Sequence, residues 1–211
     1  MLELNNVSKT FNPGTINAKT ALSGLNLTLN DGDFVTVIGG NGAGKSTMLN
    51  AIAGAFDVDG GSIVIDGTDI TRQSEHKRAA MIGRVFQDPM NGTAADMNIE
   101  ENLALAARRG KQRFLGWGIT AKEREEYKER LGSLGLGLED RMTSKVGLLS
   151  GGQRQAVTLL MASLRKPKLL LLDEHTAALD PKTAKKVLEL TEEIVAKAVS
   201  YTHLRAHETE A

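Results

Sequence analysis

The sequence of 211 residues predicts an α/β fold, in which a mainly parallel sheet packs against helices. Two short apolar runs, Phe34–Ile38 and Leu169–Leu172, are typical of buried parallel strands. Between them, from Ala94 to Arg165, the apolar residues recur with a helical period. Residues 1–32 instead alternate short apolar runs with turn residues. These patterns predict a parallel core, an antiparallel β portion at the N-terminus and a helical insertion at 90–165.

Local signals predict the individual elements. Leu25, Leu27 and Leu29 alternate with polar residues before a turn signal, which is typical of a strand. Thr120 and Glu123 have the spacing of a capping box at the start of a charged helix. We expect further strands at 2–7, 62–66 and 81–86, a helix ending near residue 55, and a helix that begins with the N-cap Asp180 and Pro181.

Composition narrows the class of protein. The 26 acidic and 26 basic residues balance, so the overall charge does not indicate nucleic acid or an acidic substrate. No cysteine is present, which excludes a disulfide framework and a cysteine-based metal site. The N-terminus lacks the layout of a secretory signal, and no apolar run approaches the roughly 20 residues that span a bilayer. Work at a membrane would therefore need another chain to supply the spanning part.

A glycine-rich segment, Gly39–Thr47, fits the pattern G-x4-G-K-[S/T]. Glycines allow backbone N–H groups to turn inward around phosphate oxygens, and the following helix points its positive end at the same anion. Lys45 can reach the β- and γ-phosphates, and the Ser46 hydroxyl can ligate Mg²⁺. A chance glycine turn is the alternative, but a strand before the segment and a helix after it disfavour that. The candidate phosphate-binding residues are Gly39, Asn41, Gly42, Ala43, Gly44, Lys45, Ser46 and Thr47.

The apolar run Leu169–Leu172 ends in two carboxylates, Asp173 and Glu174. An acidic residue at the carboxyl end of a parallel strand lies beside a phosphate loop of this kind. We expect Asp173 to hold Mg²⁺ and Glu174 to polarise the attacking water as general base. By itself the run could be a strand with a solvated end, but together with Gly39–Thr47 it indicates a nucleoside triphosphatase.

The segment Leu149–Gln153 reads Leu-Ser-Gly-Gly-Gln and resembles the signature of ATP-binding-cassette (ABC) ATPases. Ser150 has the position of an N-cap, and the glycines leave N–H groups exposed at the helix start. A bland helix-capping turn is improbable once the phosphate loop and the acidic strand end occur in the same order. The candidate signature residues are Ser150, Gly151, Gly152 and Gln153.

Three further positions match the family pattern. Gln87 resembles the Q-loop glutamine, which would sense Mg²⁺ and the membrane partner; Asp180 resembles the D-loop aspartate. Phe11 resembles the A-loop aromatic that stacks on adenine, although an aromatic in this position often belongs to the core. His175 stands where many members carry proline, and we assign it no catalytic role. The resemblance covers residues 1–197.

The resemblance implies a P-loop NTPase fold with a RecA-like parallel core, an N-terminal antiparallel β subdomain and a helical signature subdomain. It implies ATP and Mg²⁺ as cofactors, and a homodimer or a pair with another ABC subunit that closes head to tail on ATP. Further implied partners are membrane permease subunits and, indirectly, an extracytoplasmic solute-binding protein, with no nucleic acid. The location implied is the cytoplasmic face of the cell membrane.

Solute import is the preferred function. Phe86–Pro89 and Asp173–Thr176 resemble ATPases that serve lipoprotein-type binding proteins, some of which handle amino acids. The alternatives are a soluble ABC ATPase acting on DNA or ribosomes, disfavoured by one cassette without coiled coils, and an inactive truncated fragment. The basic run Arg108–Arg113, near Phe114 and Trp117, is a candidate for contact with the membrane partner or lipid headgroups; a solvated loop is equally compatible.

Residues 198–211 predict a non-native tail. Val199–Glu208 resembles the translation of a transposase-type sequencing adapter, and such additions are excluded from fold reasoning. Tyr201–His203 lies where a switch histidine would be expected, but the run before it is too polar for the required strand. We therefore expect a chain that lacks the switch histidine and the last strands of the core, and a natural protein that continues past Lys197.

Overall fold

The computed structural model describes residues 1–111, 118–173, 179–197 and 202–208. The chain divides into two compact units, of which the first comprises Met1–Gly83, Pro167–Glu174 and Ser200–Ala211 and the second Arg84–Lys166 and His175–Val199. The strands are β1 (Leu2–Phe11), β2 (Lys19–Leu29), β3 (Phe34–Gly39), β4 (Gly60–Ile65), β5 (Thr68–Asp69), β6 (Ile82–Val85), β7 (Leu169–Asp173) and β8 (Thr202–Glu208). The helices are α1 (Lys45–Ala53), α2 (Glu75–Arg78), α3 (Ile99–Ala107), α4 (Ala121–Gly132), α5 (Gly151–Ser163) and α6 (Pro181–Lys197).

The predicted antiparallel portion is confirmed as a four-stranded sheet with the order β2-β1-β4-β5. Its strands pair antiparallel along β1, with Leu2 opposite Leu29 on one side and Ile65 on the other. Leu2 and Leu4 are 1% and 2% exposed, because alternate residues of a strand point to the same face. This sheet therefore buries one face in the core of the first unit.

The predicted parallel core is a second four-stranded sheet with the order β3-β8-β7-β6. The β3–β8 and β7–β8 pairs are both parallel. All four leucines of Leu169–Leu172 are at most 1% exposed, which confirms the prediction of a buried strand from an uninterrupted apolar run.

The expectation that the chain lacks the last strands is wrong for one of them, because Thr202–Glu208 forms β8 between β3 and β7. Parallel pairing uses backbone N–H and C=O groups, so a strand can pair here without an apolar run. Ala206, the small residue at the middle of the strand, is fully buried. The origin of the tail stays a prediction.

The register of β8 also bears on the switch histidine. His203 pairs with Phe34 at the amino end of β3, whereas Glu208 pairs with Gly39 at the end where the glycine-rich loop begins. The backbone of His203 is thus at the other end of the strand from that loop, which does not favour a switch role for it.

The second unit is mainly helical, as predicted for residues 90–165, and it also includes α6. The capping box at Thr120 and Glu123 is confirmed at the start of α4, and Ser150 and Gln153 form another at the start of α5. Within this unit α5 contacts both α3 and α6. No helix among the described residues is long and apolar enough to cross a membrane.

Candidate nucleotide-binding site

The glycine-rich loop joins β3 to α1 in the first unit, and its conformation depends on glycine at two positions. Gly42 and Gly44 have φ values of 80° and 88°, a region that residues with a side chain rarely adopt. A Cβ on Gly44 would lie 2.6 Å from the carbonyl oxygen of Ala21 in β2. The loop therefore runs directly against β2 and has room there only for glycine.

Lys45 begins α1 and folds back over the loop. Its Nζ donates hydrogen bonds to the carbonyl oxygens of Gly39 at 2.6 Å and Gly40 at 3.2 Å. The loop carbonyls thereby fix the ammonium group within the ring of backbone that the motif predicts for phosphate. No acidic residue occupies the first turn of α1, so the positive end of the helix is not neutralised from within it.

Asp173 ends β7 beside this loop, as predicted from its place at the carboxyl end of a parallel strand. The Ser46 hydroxyl donates to Asp173 Oδ1 at 3.2 Å, and Asp173 is only 8% exposed. A hydroxyl and a carboxylate are oxygen ligands of the kind that Mg²⁺ takes together with waters and phosphate oxygens. The donor set of this structure therefore fits that ion. Glu174 and His175 lie outside the described residues.

Phe11, the predicted adenine-stacking residue, is half-buried at the end of β1. Its ring packs edge-on against Phe56 with centroids 5.3 Å apart, and the Lys9 ammonium lies 5.7 Å from its centroid. The ring thus has a structural contact, as an aromatic of the core would. In the sheet register Phe11 is directly opposite Lys19 of β2.

The signature segment begins α5 in the second unit. Ser150 Oγ accepts a bond from Gln153 N at 3.3 Å, and Gln153 Oε1 accepts one from Ser150 N at 3.2 Å. A Cβ on Gly152 would lie 1.9 Å from Thr183 Cγ2 of α6, whereas one on Gly151 would meet Leu179 at an ordinary 3.4 Å. Gly152 is therefore needed for helix packing, while Ser150 and Gly151 remain exposed at the helix start.

Gln87 is exposed immediately after β6, in the second unit. The carbonyl of its neighbour Phe86 accepts a bond from Gln155 Nε2 of α5 at 3.4 Å. Gly92 also approaches α5, since a Cβ there would lie 2.9 Å from Thr158 Cγ2. The segment around Gln87 is therefore anchored to the helix that carries the signature.

Asp180 is confirmed as the N-cap of α6. Its Oδ2 accepts a hydrogen bond from the backbone N–H of Thr183 at 3.0 Å, and its carbonyl accepts one from Ala184 at 2.8 Å. Asp180 itself is exposed, as the candidate D-loop role requires. The neighbouring residues 174–178 lie outside the described part of the chain.

Two arginines of the basic run make hydrogen bonds within the second unit. Arg108 donates to the carbonyl of Gly118 and to Glu123 at 3.3 Å, and Arg109 donates to the carbonyl of Ala162 at 3.2 Å. Burial lowers the pKa of Arg109, and the positive charge of Arg165 lowers it further. The structure thus gives two of the arginines structural contacts, and Phe114 and Trp117 lie outside the described residues.

Two residues near the candidate sites were not predicted from the sequence. The Lys19 Nζ lies 3.5 Å from the point that a Cβ on Gly42 would occupy, and Gln155 is 1% exposed on α5. The signal for Gln155 is a polar residue on the apolar face of a helix. Lys19 has no such signal, because its position depends on how β2 passes the loop.

Comparison with known proteins agrees with this geometry. The profile of the ABC transporter family matches residues 22–177, which is most of the chain. The chain belongs to this family, and it is the ATP-binding ATPase subunit of an ABC transporter. Its fold is that of a P-loop NTPase with a parallel core.

Named relatives and solved structures show the same class. The chain is 46% identical to the tyrosine transport ATP-binding protein of Clostridioides difficile, over 92% of this chain and 77% of that protein. It is 40% identical to the spermidine/putrescine import ATP-binding protein PotA of Haemophilus ducreyi, over 89% of this chain but 46% of PotA. The dimeric cassette MJ0796 in a post-hydrolysis state with ADP and Pi matches with a TM-score of 0.82 at 30% identity, covering 98% of this chain and 88% of that one.

Proposed function

We propose that this subunit uses ATP to drive the import of a small solute, with an amino acid as the favoured class, through separate membrane permease subunits. The observation that carries the ATP-dependent part of the proposal is the contact of Ser46 with Asp173 at 3.2 Å beside a loop that already holds the Lys45 ammonium. A hydroxyl, a carboxylate and a cation gathered at one loop support the binding of a phosphate chain with Mg²⁺.

In this proposal the loop binds the phosphates mainly through its backbone. The N–H groups of the loop and of the first turn of α1 are donors for phosphate oxygens, and Lys45 contributes a positive charge. Ser46 and Asp173 would hold Mg²⁺, with Gln87 as a further ligand; the ion would neutralise charge on the phosphate oxygens. Phe11 would contact the adenine, and Glu174 would accept a proton from the attacking water.

The second half of each site would come from another subunit. MJ0796 is described as a dimer, and the exposed start of α5 at Ser150 and Gly151 supports the same assembly here. A helix N-terminus and a serine hydroxyl would stabilise negative charge on the γ-phosphate of the partner's nucleotide. Asp180, which is exposed at the start of α6, would contribute to the same dimer contact.

The substrate class rests on the relatives. The tyrosine transporter protein is more similar to this chain than PotA is, and it is matched over more of its length. A solute-binding protein outside the membrane would deliver the solute to the permease subunits. The ATPase would then act from the cytoplasmic face.

Two variants test the ATPase part of the proposal. Lys45→Ala should abolish ATP binding, and Glu174→Gln should keep ATP binding but stop hydrolysis, as measured by nucleotide titration and phosphate release. Sedimentation of Glu174→Gln should show a dimer only with ATP and Mg²⁺. Normal hydrolysis by Glu174→Gln would remove the catalytic assignment, and unchanged sedimentation would count against the closed dimer.

The transported class is tested in the assembled system. The subunit would be expressed with the permease and solute-binding genes adjacent to its locus, and uptake of labelled tyrosine and spermidine would be compared. ATP-dependent tyrosine uptake that is lost in Lys45→Ala supports the proposal. Spermidine uptake without amino-acid uptake would contradict the substrate class and leave the ATPase assignment intact.

A further inference from the structure

Lys19 lies over the glycine-rich loop from the neighbouring strand. Its Nζ is 3.5 Å from the point that a Cβ on Gly42 would occupy, at the middle of the loop. Two residues further along β2, the carbonyl of Ala21 lies against Gly44. The strand therefore follows the loop over two positions, which fixes the ammonium of Lys19 on the side of the loop.

The charges around Lys19 are unbalanced. Lys19 is exposed, and among the residues that the structure describes no carboxylate lies within ion-pair distance of its ammonium. The loop itself carries positive charge, from the Lys45 ammonium and from the N-terminal end of α1, whose first turn has no acid. An anion in the loop would offset this positive charge, so the Lys19 ammonium becomes electrostatically favourable when the loop holds one.

The position of Lys19 in the sheet indicates which part of a nucleotide it can reach. Lys19 is directly opposite Phe11 in the antiparallel pair, and directly opposite residues of such a pair share one face of the sheet. In the proposed function Phe11 contacts the adenine, so Lys19 stands between the base and the loop. The phosphates nearest the base are present in ADP as well as in ATP.

We infer that Lys19 is a second phosphate-binding cation, which contacts the part of the phosphate chain shared by ATP and ADP. The inference rests on the proposed nucleotide site and adds to it a residue outside the loop motif. Lys19 acts on binding: it stabilises bound nucleotide before and after hydrolysis alike. Such uniform binding changes KM and leaves kcat nearly unchanged.

The test compares Lys19→Met, Lys19→Arg and, as a matched control in the same unit, Lys77→Met, which removes an exposed lysine at the end of α2. Titration with ATP and with ADP should show both Kd values raised about five- to tenfold in Lys19→Met, within the net range of one typical hydrogen bond, because the site is exposed. Lys19→Arg should stay within about twofold of the parent, because it keeps the charge. The KM for ATP should rise with the Kd while kcat is unchanged.

Several outcomes overturn the inference. Equal affinities in Lys19→Met and Lys77→Met would show that Lys19 does not contact nucleotide, and a loss confined to ATP would place its contact on the γ-phosphate. If Lys19→Met unfolds, Lys19→Gln gives the same test, and no loss of affinity there also overturns it. Failure of the parent chain to bind ATP would instead contradict the proposed function.

Discussion

Ser46 and Asp173 are 127 residues apart in the sequence and make a 3.2 Å hydrogen bond in the first unit. The serine lies in the first turn of α1 and the aspartate ends β7, so two elements with separate sequence signals supply one pair of oxygen ligands. Asp173 is only 8% exposed, so little water can reach its carboxylate. We expect its charge to matter more for the metal than for the nucleotide itself.

Asp173→Asn tests whether the charge of Asp173 acts on the metal more than on the nucleotide. The amide keeps the shape and the acceptor oxygen but removes the charge, so the Mg²⁺ concentration for half-maximal ATPase activity should rise at least about tenfold. Nucleotide binding measured without Mg²⁺ should stay within about twofold of the parent, by the same separation of metal and backbone contacts. Asp140→Asn, at an exposed position in the other unit, is the control. An unchanged Mg²⁺ requirement would remove Asp173 from the metal site.

The residues of this site differ in whether their positions are determined by their own sequence segment or by the folded chain around them. Lys45, Ser46 and Asp173 were predictable, because a loop motif and a strand end each determine their own geometry. Lys19 and Gln155 were not, because their positions depend on which strand or helix passes them in the folded chain. Glu174 stays a prediction, since it lies outside the described residues.

At the scale of elements, the helix that follows the loop is fixed at its far end by an arginine. Arg78 is 1% exposed and donates to the carbonyls of Ala51 at 2.7 Å, Ile52 at 2.9 Å and Thr71 at 2.9 Å. Burial lowers the pKa of Arg78, yet carbonyl groups surround its guanidinium. The helix is capped by Gly54, where a Cβ would lie 2.7 Å from Arg78 Nε.

Arg78→Met should destabilise the chain by about 2–4 kcal/mol, because it leaves at least two buried carbonyls without a donor. Urea unfolding measures this as a lower midpoint at an unchanged slope. Arg72→Met is the control, since Arg72 is exposed and makes a single 3.4 Å bond to Val58. Equal midpoints for the two variants would show that Arg78 does not hold the end of α1. Nothing in the sequence indicated this contact, because an arginine in a short charged segment is usually solvated.

The start of α4 carries a carboxylate that is hydrogen-bonded in its charged form. Glu123 accepts bonds from the backbone N–H and the hydroxyl of Thr120, both at 2.8 Å, and these with Arg108 lower the pKa of Glu123. A lowered pKa in the folded state means that the stabilisation is complete above the ordinary value of 4.5 and is lost as pH falls through the lowered value.

We therefore expect the parent to be more stable than Glu123→Gln at neutral pH, and the difference to disappear as the pH falls from 4.5 through the lowered pKa of Glu123. Thermal unfolding of both proteins across this range measures the difference, so that other titrating acids cancel. Thr120→Ala should lose about 0.5–2 kcal/mol at neutral pH, as other N-cap removals do. Parallel stability curves for the parent and Glu123→Gln would contradict the assignment of this pH dependence to the cap.

At the scale of the whole molecule, the sequence predicted the two kinds of sheet and the helical region correctly, and it failed at β8. Leu169–Leu172 could be recognised because it is buried on both faces, and Leu25–Leu29 because one face is buried. Residues 202–208 have neither pattern. Their pairing follows from the space between β3 and β7, which is a property of the assembled sheet and not of the segment.

The part played by β8 can be measured by shortening the chain. A chain that stops after Lys197 would leave β3 and β7 without the strand that pairs with both, so six residue pairs with β3 and five with β7 would be lost. We expect a loss of about 5 kcal/mol or more, comparable with the whole stability of a small domain, and hence an aggregating or unfolded product. A chain that stops after Glu208 keeps the strand and is the control.

Ala206→Asp tests the same strand at full length, because it places an unpaired carboxylate at a fully buried position. Unfolding midpoints equal to that of the parent, in both the short chain and Ala206→Asp, would show that residues 202–208 do not complete this sheet.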